Sequence, residues 1–207
     1  MENLESLETA KEYLTKEQIE EIKKLDYECV WVLSIYKNGD HKFVKIRDGN
    51  DGEVSFDKSI LENKIGIKEQ YLYHNHSITN YNEETDKNKD TIIIAPPSSD
   101  DFMQVNRSKK ELKHRIIAPS GIWEISINNF SKTNKVNQFL GSLFSELEIK
   151  LKRLELKKEN PIYLNLAESY NILMHGSTDK SVIEKNIKIF KENMFKMGFN
   201  VDFKFYT

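Results

Sequence analysis

Apolar positions along the chain recur with two periods, and the change of period outlines the elements. Leu4, Leu7, Tyr13 and Leu14 mark a first short helix. Thr15 with Gln18 supplies a capping-box start for a second, which carries Ile19, Ile22 and Leu25. Cys29 to Tyr36 is β-branched and aromatic, Asn38-Gly39 is a strong hairpin signal, and His41 to Ile46 alternates, so these predict an antiparallel pair. Turn residues surround Phe56 to Leu61. Glu69 to His76 then reads as another strand, with Tyr71, Tyr73 and Asn75 on one face and Leu72, His74 and His76 on the other.

Ser77 to Asp90 is polar and almost without apolar residues, which predicts an exposed, mobile loop closed by a short strand at Thr91 to Ala95. After Pro96-Pro97, the run Ser98-Ser99-Asp100-Asp101 opens a helix leading into Phe102, Met103 and Val105. Arg115 to Ala118 and Ile122 to Ile127 flank a Ser120-Gly121 turn as a second hairpin. Beyond Asn128 a helical stripe runs through Val136, Phe139, Leu140, Leu143, Phe144, Leu147, Leu151 and Leu154 until Pro161 interrupts it. Helices over Ile162 to Met174 and Ser181 to Met197 follow, then Gly198 and a strand-like Val201 to Tyr206. The expected fold is therefore α/β of the α+β type. A mixed, largely antiparallel sheet flanked by helices fills residues 1–130, and a mostly helical extension over 131–207 packs on that core or binds a partner.

Charge removes some function classes. With 31 Lys+Arg against 33 Asp+Glu the chain has a net charge of -2, too little to draw it onto nucleic acid or an anionic membrane. No basic segment leads into an apolar run at the N-terminus, and no stretch approaches 18 uninterrupted apolar residues, so neither secretion nor membrane spanning is expected. The single cysteine, Cys29, reads as a small buried hydrophobe in an intracellular, reducing setting.

Chemistry concentrates at two short motifs. His74-Asn75-His76 closes a strand and puts two imidazoles on one face, close enough to share a metal ion. Alone, the pair reads more simply as two partly exposed polar histidines. Ser98 and Asp101 stand three apart across a helix start and, alone, make a capping box. Their order changes the reading: Glu28 heads the first strand, His74-x-His76 closes a later one, and Pro97-Ser98-x-x-Asp101 opens the next helix. His41, His114 and His175 are isolated and read as surface or packing residues. The adjacent His-Asn-His does not match the HNH nucleases, whose three residues are spread over a ββα unit.

The run YHNH…PPSSDDF resembles the metal-binding motif of the JAMM (MPN/Mov34) metalloprotease family: an upstream Glu, then H-x-H-P, then S-x-x-D. It is similar also to the family's RadC-like branch. The resemblance covers about residues 15–130 and leaves out the C-terminal third. It implies Zn2+ held by His74, His76 and Asp101, Glu28 as general base, and Ser98 as a stabiliser of the tetrahedral intermediate. Glu53, Glu62 and Glu69 also lie between Glu28 and the histidines; a Glu heading a strand after a helix is the family's arrangement. The implied activity is zinc-dependent hydrolysis of a peptide or isopeptide bond, with ubiquitin-like conjugates among the substrates it admits. The alternative is a non-catalytic MPN-type scaffold subunit of a larger complex. Between His76 and Ser98 stand 21 residues, a position from which Ser77 to Asp90 would cover the metal or meet substrate, the alternative being a neutral surface insertion.

Overall fold

A computed structural model describes residues 14–49, 66–76, 90–107, 113–128 and 161–206. The expected helix through Leu4 and Leu7, the turn-rich stretch around Phe56 to Leu61, residues 77–89 of the polar loop and the stripe from Val136 to Leu154 lie outside the described residues.

Helix α1, Lys16–Lys23, starts at the expected capping box: Thr15 Oγ1 accepts from Gln18 N, and Gln18 Oε1 accepts from Thr15 N at 2.9 Å. Strands β1 (Cys29–Tyr36) and β2 (His41–Asp48) pair antiparallel about Asn38-Gly39. Gly39 adopts φ +91° there, a region that residues with a Cβ seldom enter. β1 pairs on its other side, antiparallel, with β3 (Ile67–Asn75). β3 runs parallel to β4 (Lys113–Ala118), and α2 (Ser99–Arg107) lies in the crossover that a parallel pair requires. β4 and β5 (Gly121–Ile127) form the second hairpin.

The C-terminal segment adds α3 (Pro161–His175), α4 (Lys180–Lys196) and β6 (Phe199–Phe205). β6 pairs antiparallel with β5, so the sheet reads β2-β1-β3-β4-β5-β6, with four helices among the described residues. The architecture is mixed α/β of the α+β type.

Both faces of the sheet are covered. On one, Leu14, Ile19 and Ile22 pack against Cys29, Trp31, Leu33, Tyr71, Tyr73 and Ile117. On the other, Phe102, Leu166, Ile183, Phe190 and Met194 from α2, α3 and α4 close over Ile116, Trp123, Ile125, Phe199 and Val201. The nearly continuous apolar run in β1 follows from its burial on both sides, since such a strand has no polar face to alternate with.

Thr91 to Ala95 is not a strand. Among the described residues it makes one isolated bridge, Ile92 with Ser177. The carbonyls of Ile94 and Ala95 go elsewhere, Ile94 O to Trp123 Nε1 at 2.7 Å and Ala95 O to His76 Nδ1 at 3.1 Å. Pro96 then offers no N–H to a ladder.

Candidate metal centre

The site forms where the carboxyl end of β3 meets the amino end of α2. The last five residues of β3, Tyr71 to Asn75, are all buried, and the two-residue period sends Tyr71 and Tyr73 towards α1 while His74 and His76 turn to the opposite face. His76 lies one residue past β3, yet its N–H still donates to Ile117 O at 3.0 Å, so the second imidazole is anchored to β4.

Asp101 enters from α2. Ser98 and Asp101 form a reciprocal cap: Asp101 N donates to Ser98 Oγ at 3.3 Å, and Ser98 N donates to Asp101 Oδ2 at 2.7 Å. The Ser98 hydroxyl also donates to Oδ2, at 2.8 Å. Capping and ligand placement are thus one structure, and Ser98 stands directly beside the carboxylate.

His74 Nε2 lies 3.2 Å from Asp101 Oδ1, and His76 Nε2 lies 3.5 Å from Oδ2. Donor atoms of all three residues fall within 4.8 Å of one another. Around a tetrahedral cation with bonds of 2.0 to 2.1 Å, donors stand about 3.3 Å apart, so little movement separates this arrangement from a coordinating one. The group can hold a metal ion. His74 and Asp101 are buried and His76 is only partly so, which leaves the open side of the group at His76.

The outer nitrogen of each imidazole is tied. His76 Nδ1 donates to Ala95 O, a pure acceptor, which leaves Nε2 unprotonated and aimed inward when the ring is neutral. Ala95 holds φ +38°, sparsely populated for a residue with a Cβ and further disfavoured before proline. That strain turns its carbonyl towards the histidine. His74 Nδ1 lies 2.8 Å from Nε2 of His114 on β4, the rings 4.8 Å apart. From sequence His114 reads as an isolated surface or packing histidine. It is buried, but its partner is the ring of His74, 40 residues away in sequence and adjacent only once β3 and β4 pair in parallel.

Glu28, one residue before β1, is half-buried, and its charge acts on His76. Asn75, between the two histidines but on the other face, accepts from Cys29 N at 2.7 Å and donates to Tyr27 O at 3.0 Å. It thereby holds the backbone on both sides of Glu28. Among the other acidic residues considered, Glu69 sits opposite Ile35 and accepts from Tyr71 OH at 2.6 Å. Five residues up the strand from His74, it is about 16 Å from the site at a rise of 3.3 Å per residue. Glu53 and Glu62 lie outside the described residues.

Burial works against a charged Asp101, but His74, His76 and His114 hold its carboxyl well below the usual carboxylate range. Burial drives His74 well below the ordinary imidazole value, despite the pull of Asp101. It also takes His114 down to about 4. For His76, burial is outweighed by Asp101, Glu28 and the Ala95 carbonyl, and its value rises. The site therefore combines an ionised carboxylate with imidazoles in unlike states. A cation seated between neutral His74 and His76 and the Asp101 carboxylate would meet neutral nitrogen and anionic oxygen donors.

No family model matches the chain, and no curated protein or solved structure matches it. None of the helices described is long and apolar enough to cross a membrane.

Proposed function

We propose that the chain is a zinc-dependent hydrolase of the JAMM type that cleaves a peptide or isopeptide bond, with His74, His76 and Asp101 as the metal ligands. The observation that carries this reading is the convergence of those three side chains from two elements, with each imidazole held by its outer nitrogen. Two imidazoles and one carboxylate suit zinc and leave a fourth tetrahedral position. Zinc held there supplies Lewis acidity and lowers the pKa of a coordinated water to about 7.

The chain's own groups divide the remaining work. Glu28 takes the proton of the attacking water and returns it to the leaving amine. Asp101, anionic and fixed by Ser98, supplies the negative ligand. Ser98 has a hydroxyl at the site's edge that stabilises the developing oxyanion by turning its donor from Asp101 to the substrate. The substrate class is a protein or peptide, ubiquitin-like conjugates included.

The test has two parts. Purified protein should carry about one zinc ion per chain, and His74→Ala/His76→Ala should carry none while keeping its far-UV dichroism. Stoichiometric zinc in that double variant would overturn the ligand assignment. On a lysine-linked isopeptide probe, Glu28→Gln should retain zinc and lose on the order of 10² to 10⁴ in turnover. A wild-type protein that holds no zinc and cleaves nothing would favour the non-catalytic scaffold.

A further inference from the structure

Among the described residues, Nδ1 of His114 is the one buried side-chain nitrogen or oxygen without a hydrogen-bond partner. His114 is 1% exposed, so this vacancy is a real expense: a buried polar atom left unpaired destabilises, and an apolar side chain in the same space would not. Packing alone therefore does not account for an imidazole here, whose ring also meets the Asp101 backbone.

The chemistry of His74 does. To present a lone pair at Nε2 beside Asp101, a neutral His74 must carry its proton on Nδ1, and a buried N–H needs an acceptor. The atom in place is Nε2 of His114, at 2.8 Å. If that nitrogen accepts, the neutral His114 ring carries its own proton on Nδ1, the atom with no partner. The reverse arrangement has His114 donating, and His74 then holds a proton on Nε2, pointed at Asp101 Oδ1 where a cation would sit. His76 meets the same requirement with the Ala95 carbonyl. His114 Nδ1 lacks a partner in either arrangement, but only the first leaves the Nε2 lone pair of His74 for a cation.

We propose that His114 is a positioning residue of the metal centre: it accepts the Nδ1 proton of His74 and so fixes the ring and tautomer through which His74 binds the cation. The inference rests on the metal-site reading above and adds a residue to it.

Gln and Met differ little in shape, but Gln offers a strong carbonyl acceptor where Met has only a weakly accepting thioether, so the pair separates positioning from packing. Zn2+ affinity is measured by competition with a chromophoric chelator on wild type, His114→Gln and His114→Met, with folding checked by circular dichroism. His114→Met should bind about 10 to 100 times more weakly, the usual effect of losing such an outer partner, while His114→Gln should stay close to wild type. Equal affinity in all three proteins, or equal loss in both variants, would overturn the role of His114 and leave the zinc site standing. Absence of zinc binding in wild type would overturn the metal site and this inference together. Should His114→Met fail to fold, side-chain 1H–15N spectra of zinc-loaded wild type decide the matter. They should show His74 and His114 both protonated on Nδ1, and a proton on His74 Nε2 would refute the proposal.

Discussion

One carboxamide fixes the backbone on either side of Glu28. Asn75 faces an N–H donor at Cys29 and a carbonyl at Tyr27, so its orientation is forced: oxygen to the first, nitrogen to the second. Replacing it with Ala leaves both backbone groups without their partner and should destabilise the protein by about 1 to 3 kcal/mol, read from urea unfolding. Asn75→Ala should also keep its zinc, because the side chain points away from the ligands, and yet turn over the isopeptide probe more slowly as Glu28 loosens. Zinc loss comparable to that of the double histidine variant would place Asn75 in the ligand shell instead. At this scale the group that could hold a metal ion was legible in the sequence, since a strand's period of two and a helix cap's spacing of three are local rules that His74, His76, Ser98 and Asp101 obey. The outer partners were not. His114 and Asn75 act on residues 40 and 46 to 48 positions distant, and only strand pairing reveals which residues those are.

The same limit governs the elements. Hairpins and caps declare themselves over a few residues, which is why β1 with β2, β4 with β5, and α1 sit where the pattern put them. The parallel contact of β3 with β4 and the addition of β6 to β5 depend on the whole sheet. So does a buried ion pair on the α1 face. Arg115, fully buried, donates through Nε to Glu124 Oε2 at 2.8 Å and through Nη1 to Tyr73 OH at 2.7 Å, with its guanidinium 4.0 Å above the Tyr71 ring. This network joins β3, β4 and β5 directly behind the histidines. Arg115→Ala would leave the buried Glu124 without its close guanidinium partner, with Lys113 at 3.7 Å as a longer one, and should destabilise by about 3 kcal/mol, whereas Arg115→Met/Glu124→Leu removes both charges and should be much milder. Chemical denaturation of the two proteins makes the comparison. A double variant as unstable as the single would mean that the pair contributes more than charge compensation.

Across the whole molecule, the buried histidines couple folding to pH, and the sign follows from their directions. In protein stripped of metal by a chelator, His74 and His114 are held neutral by burial, His114 down to about 4 and His74 well below its ordinary value. Both titrate near 6.5 in the unfolded chain. As pH falls from 6.5 towards 4 the unfolded chain gains protons at these two positions that the native protein does not take up, so stability must fall with pH. His76 acts in the opposite sense, but elsewhere. Its raised value gives stability that is fully present below 6.5 and is lost as pH rises through the folded value. Asp101, depressed, contributes stability that is present above about 3.9 and is lost only on further acidification. Between 6.5 and 4 the two buried neutral rings therefore decide the slope. The urea midpoint of the stripped protein should fall steadily over that interval, and His114→Gln, with one such ring fewer, should show a shallower decline. Metal-loaded protein must be measured apart, because protons also compete with the cation for the same nitrogens and steepen the loss. A midpoint that stays level or rises on acidification in the stripped protein would mean that His74 and His114 take up protons in the native state, and the neutral imidazole pair on which the metal site depends would have to be abandoned.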